Sequence, residues 1–117
     1  LSLMDMIREF YLQSSLSIMS NVVEFASFNL KKKASISDFL LVSDKFNSVF
    51  LSTQKGYISR KLLLSGEMWA DSVLWETMED VLNAFKTADE NAVACEYLSF
   101  MDEESIKVLH LTVERSY

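Results

Sequence analysis

The chain has no proline and two glycines, Gly56 and Gly66, in 117 residues. Glycine reaches positive φ at little cost, and most other residues do not. Sharp left-handed turns are therefore expected at two places, both within "GYISRKLLLSGEMWADSVLWET". Residues 57–64 and Met68–Trp75 are rich in apolar and aromatic side chains and read as two strands around Ser65-Gly66-Glu67. A three-residue loop with a central glycine predicts one register. It pairs Leu64 with Met68, Leu62 with Ala70, Arg60 with Ser72 and Ile58 with Leu74. The other face pairs Leu63 with Trp69, Lys61 with Asp71, Ser59 with Val73 and Tyr57 with Trp75. Lys61 and Asp71 then form a cross-strand ion pair, and a one-residue slip would undo the sorting.

Around this hairpin the chain alternates period-two and helical patterns. Residues 22–30, "VVEFASFNL", read as a strand, broken by Lys31-Lys32-Lys33. Residues 36–53 place Phe39, Val42, Phe46, Val49 and Phe50 on one helical face. Ser35 or Ser37 caps that helix; with Ser37, Ile36 and Leu41 would form a hydrophobic staple. Gly56 supplies its left-handed stop. Thr77, with Asp80 three residues on, caps a second helix whose buried stripe is Met78, Val81, Leu82 and Phe85. A third helical piece starts at Asp89 or Asn91 and runs to about Phe100, with Cys95 expected buried within it. Residues 106–113, "IKVLHLTV", form the last strand. The order is β-α-β-β-α-β, an α+β, ferredoxin-like antiparallel sheet with helices on one face. The last strand is apolar at both parities, with Leu109, Leu111 and Val113 on one and Ile106 and Val108 on the other. A solvated sheet face would be polar at alternate positions. A homodimer, with sheets packed face to face, is therefore the expected assembly.

Residues 1–18 are expected as an N-terminal extension, either a short amphipathic helix carrying Leu3, Ile7 and Phe10 or a leader, with Met19 a candidate start. Residues 19–117 are expected to hold the single domain. The net charge of -6 repels phosphate backbones, so no nucleic-acid partner is expected, and the three lysines read as a solvated loop. One cysteine makes no internal disulfide, which points to the reducing cytoplasm. One histidine, His110, makes a single-chain zinc site unexpected. No apolar run of about 18 residues suggests a membrane span.

Residues 19–117 resemble the dimeric α/β-barrel superfamily, in the style of antibiotic-biosynthesis monooxygenase domains. The residues that carry this are "GYISRKLL", "VLWETMEDVLNAF" and the terminal "VLHLTVE", with Trp75-Glu76-Thr77 matching a strand-ending Trp before a Ser or Thr that opens a helix. The resemblance implies a dimeric α/β barrel. The haem-degrading branch of the family has Asn, Trp and His at positions that fall near Phe25, Ala84 and Ala94-Cys95 here, so that chemistry is not expected. The quinol-oxidising branch has a polar residue and a Trp on strand three, which correspond to Asp71 and Trp75.

Two classes of function follow. One is a cofactor-independent monooxygenase for a small aromatic or quinol-like substrate. Tyr57, Trp75, Trp69 and Tyr97 are its candidate ligand-binding residues, and Asp71 or His110 takes a substrate proton. The other is a non-catalytic dimer that binds a small apolar molecule or serves as a scaffold. In the bland reading Trp75 is core, Trp69 is interface or rim, His110 is a packed strand residue, and Arg60 closes one end of a barrel. No metal and no cofactor is expected.

Overall fold

The structure, a computed structural model, describes residues 3–6 and 20–117. Residues 3–6 are helical, and the rest of the expected N-terminal extension lies outside the described residues. The domain is built from β1 (Val22–Asn29), α1 (Ile36–Lys45), β2 (Tyr57–Ser65), β3 (Met68–Trp75), α2 (Met78–Ala88), α3 (Ala92–Ser99) and β4 (Lys107–Thr112). The strands form one sheet in the order β2-β3-β1-β4, every adjacent pair antiparallel. This is the expected ferredoxin-like α+β architecture.

Each helix begins where its cap predicts. Ser35, not Ser37, accepts from the Asp38 amide. Thr77 accepts from the Asp80 amide, and Asn91 from that of Ala94. With Ser35 as cap the staple does not form: Ile36 and Leu41 are both exposed. Residues 36–53 are not one regular helix either. The α-helical ladder ends at Lys45, continues as a π-helical turn over Phe46–Phe50, and tightens to a 3-10 turn at Leu51–Thr53. A π turn takes up extra residues and shifts the helical phase. Phe39 and Phe50 are buried as expected, but Val49 is exposed and Leu51 buried in its stead.

The hairpin register differs from the expected one by a single residue over most of its length. The loop is the two-residue Gly66-Glu67, with Ser65 opposite Met68 and Gly66 at φ +61°. Two-residue loops match the right-handed twist of the strands and need positive φ, which Gly66 supplies. Leu64 consequently pairs with Trp69, Leu62 with Asp71 and Arg60 with Val73. A bulge at Ile58 inserts one extra residue and returns Tyr57 to Trp75, as expected. Arg60 therefore lies on the helix-covered face with Asp71, and Lys61 pairs with Ser72 on the other face. The expected Lys61–Asp71 ion pair does not exist.

Two buried clusters lie between sheet and helices. One joins Val22, Val73 and Trp75 to Phe50, Met78 and Val81; the other joins Phe28, Phe39, Trp69, Tyr97 and Met101. The opposite sheet face carries Leu63, Leu109 and Leu111, all exposed.

Candidate functional site

The two clusters meet around a cavity of about 140 Å³. The sheet supplies Glu24, Ala26, Asp71, Val73 and Trp75, and the helices contribute Tyr97, Phe85 and Ala84 among others. Strand alternation explains the sheet side. Glu24 and Ala26 on β1, and Asp71, Val73 and Trp75 on β3, are two apart and project to the same face. The walls are mostly apolar, with two carboxyl groups at different places on the floor.

The first carboxyl, Asp71, is fully engaged. Its Oδ1 accepts from Arg60 Nε at 2.8 Å, and its Oδ2 accepts from the Tyr97 hydroxyl at 2.5 Å. The Arg60 fork also donates to the Ser43 carbonyl at 3.2 Å, to Ser43 Oγ at 2.9 Å and to the Tyr97 oxygen at 3.0 Å. The guanidinium carbon lies 5.2 Å from the Tyr97 ring centre and 5.4 Å from that of Phe46. Those rings stack in turn, 4.4 Å apart and 8° from parallel. Arg60 is thus a buried tie between β2, α1 and α3. Burial works against its charge, but the field of Asp71 and the Tyr97 interaction outweigh it and hold the guanidinium above its ordinary range. Burial, and then the Asp71 charge, push the Tyr97 hydroxyl well above the usual tyrosine range despite the opposing pull of Arg60. Tyr97 therefore remains a donor locked onto Asp71.

The second carboxyl is Glu24, which the sequence reading passed over. It is 9% exposed, at the centre of β1. Its Oε1 accepts from the Trp75 indole Nε1 at 3.2 Å, and its Oε2 lies 3.8 Å from His110 Nε2. His110 stands directly opposite Glu24 in the β1–β4 ladder. A buried glutamate in the middle of an apolar strand is costly without partners. That, in "VVEFASF", was the available signal.

The expected site residues separate accordingly. Asp71, Trp75 and Tyr97 line the cavity. His110 reaches it through Glu24. Tyr57 packs edge-on against Trp75 with its hydroxyl on Asn47, at the back of the cavity wall. Trp69 does not line this cavity: it is 7% exposed, packs edge-to-face on Phe39 at 5.1 Å and borders a separate pocket with Leu30, Lys31 and Leu64. Cys95 is exposed rather than buried, with its thiol toward the Ala88 and Asp89 carbonyls. Among the described residues no cluster of three or more metal-ligating side chains forms, and no helix is long and apolar enough to cross a membrane.

No family model matches the sequence, and no curated protein matches it. Similarity is found at the level of structure. A single-residue variant of SnoaB, a cofactor-independent oxygenase from Streptomyces nogalater, superposes with a TM-score of 0.68 at 13% identity, covering 83% of this chain and 96% of that one. A hydroxynitrile lyase from Passiflora edulis gives 0.67 at 15% identity, covering 85% and 98%. A monooxygenase from the ActVA-Orf6 gene of Streptomyces coelicolor, in complex with nanaomycin D, gives 0.57 at 11% identity, covering 85% and 92%.

Proposed function

We infer that this chain, which has the fold of the antibiotic-biosynthesis-monooxygenase-like proteins of the dimeric α/β-barrel superfamily, binds a small aromatic or quinol-like molecule in the cavity beneath its helices and oxygenates it without a cofactor. The single observation that carries this reading is the cavity itself. It is mostly apolar, walled by Trp75, Phe85 and Tyr97, and has two carboxyl groups on its floor. Pockets of that make-up bind apolar ligands and orient them by a few polar groups. A dry cavity of about 150 Å³ holds one benzene-sized ring, which sets the scale for the ligand here. In cofactor-independent chemistry the substrate gives the electrons to oxygen, so the protein has to bind, orient and deprotonate. SnoaB, described as a cofactor-independent oxygenase, supports the kind of reaction.

The working unit in this reading is a homodimer, supported by the exposed Leu63, Leu109 and Leu111 on the sheet face opposite the helices. The test of activity is oxygen uptake with single-ring hydroquinones. The account expects saturable uptake by the wild-type protein that is abolished when the cavity is filled by Ala84→Leu. Binding without uptake would leave a small-molecule-binding dimer, the non-catalytic alternative. Uptake unaffected by filling the cavity would place the chemistry elsewhere.

A further inference from the structure

Both carboxyl groups on the cavity floor are candidates to receive a ligand hydroxyl, but they are not equivalent. Asp71 already accepts from Arg60 and from Tyr97, one donor on each oxygen, and its charge is balanced by a guanidinium at 2.8 Å. A ligand hydroxyl would have to compete there with both of these buried donors. Tyr97 itself is occupied as donor to Asp71 and acceptor from Arg60. Glu24 differs. Among the described residues no Lys or Arg pairs with it, the Trp75 indole occupies Oε1, and Oε2 faces His110 across 3.8 Å. That distance is longer than a direct hydrogen bond. Glu24 lines the cavity, and Oε2 is the carboxyl oxygen that the indole does not hold.

From this we propose that Glu24, held by the Trp75 indole and backed by His110, is the group that accepts the hydroxyl proton of the ligand, and that the cavity selects single-ring phenols and hydroquinones. The inference rests on the aromatic-binding reading above and deepens it. In the step itself the ligand O–H bond breaks and a carboxyl O–H bond forms at Glu24 Oε2. The electron pair of the broken bond stays on the ligand oxygen as phenolate. His110 Nε2 is the neighbouring nitrogen that can share the proton. Trp75 positions Glu24 rather than reacting, because its N–H fixes one carboxyl oxygen and so aims the other.

The test uses two probes of nearly equal size, toluene and phenol, titrated calorimetrically at neutral pH into the whole chain. A purely apolar cavity prefers toluene, because the phenol hydroxyl loses water without replacement. A carboxyl acceptor reverses that order, and a hydrogen bond to a charged group is worth about tenfold or more in affinity. The expected result is that phenol binds about tenfold or more tightly than toluene. Glu24→Gln should remove that preference while keeping toluene affinity. The Trp75 N–H will hold the amide oxygen of the glutamine and leave its neutral NH₂ toward the hydroxyl, so the charge-assisted bond is lost and at most a weaker neutral one, to the phenol oxygen, replaces it. Phenol binding no better than toluene in the wild-type protein would overturn the proposal without need of a variant. A phenol preference that survives Glu24→Gln undiminished would also overturn it, and would place the acceptor at Asp71 and Tyr97. If neither probe binds, the aromatic-binding reading fails together with the proposal. Toluene binding without phenol preference leaves that reading standing and sinks the proposal alone.

Discussion

At the scale of single residues, the cavity is lined by two carboxyl groups that are held differently. Asp71 is tied to Arg60 and Tyr97. With Arg60 it forms a buried pair whose side chains are 6% and 11% exposed, and removing one partner strands the other charge. Asp71→Asn is therefore expected to cost about 3–5 kcal/mol in urea denaturation. A loss below about 1 kcal/mol would show the pair to be solvated. Tyr97 adds a pH signature. The folded state holds its proton more tightly than the unfolded chain, where tyrosine ionises near pH 10. A group with a raised folded pKa contributes in full below its unfolded value and loses that contribution as pH rises beyond it. Stability should thus decline above about pH 10, and Tyr97→Phe should flatten that decline while costing about 1–3 kcal/mol at neutral pH for the lost hydroxyl contacts. Denaturation midpoints measured from neutral pH to about pH 11 check both parts. Identical alkaline slopes in variant and wild type would contradict the assignment.

At the scale of elements, the two glycines act through different physics. Gly56 has φ +85°, and a Cβ there would meet the Asp80 side chain at 2.1–2.5 Å. Asp80 is buried and bonded to the Thr77 cap, so it has little freedom to yield. Gly66 has φ +61° with open space around it. Gly66→Ala should cost about 1–2 kcal/mol, the left-handed penalty alone, and Gly56→Ala distinctly more. Thermal or urea melts of the two variants test this, and an equal cost would contradict it. The same elements show how far the sequence could be read. The strand and helix order, the caps and the shared face of Tyr57, Asp71 and Trp75 were legible, because periodicity and turn residues report them locally. The hairpin register was not, because "SGE" fits a two-residue loop as well as a three-residue one, and a bulge at Ile58 leaves no mark in the residue pattern. That slip hid the Arg60–Asp71 pair. The π turn after Lys45 was equally silent, because the apolar spacing of residues 36–53 fits a regular helix as well. The contacts of Glu24 with Trp75 and His110 join residues distant in sequence, so its place on the cavity floor became visible only in three dimensions.

At the scale of the molecule, the sheet has two apolar faces and the described helices cover one. We propose that a second copy covers the other, with Leu109 and Leu111 from β4 and Leu63 from β2 inside the contact. A specific interface of this kind buries above about 1,000 Å². Sedimentation at micromolar concentration should show twice the chain mass, and Leu109→Glu should shift it toward a single chain. A well-folded wild-type monomer would contradict the dimer. The cavity claim stands apart from the dimer and has its own test. Truncating Trp75, which is 1% exposed, would confound binding with a stability loss of about 3–5 kcal/mol. Filling the space is cleaner: Ala84 lines the cavity from α2, and Ala84→Leu adds volume where there is room. The most direct measurement is calorimetric titration of toluene into the wild-type chain and into Ala84→Leu. The account predicts saturable binding by the wild type and none by the filled variant, with both folded. No binding by the wild type, or equal affinity in the two, would contradict it.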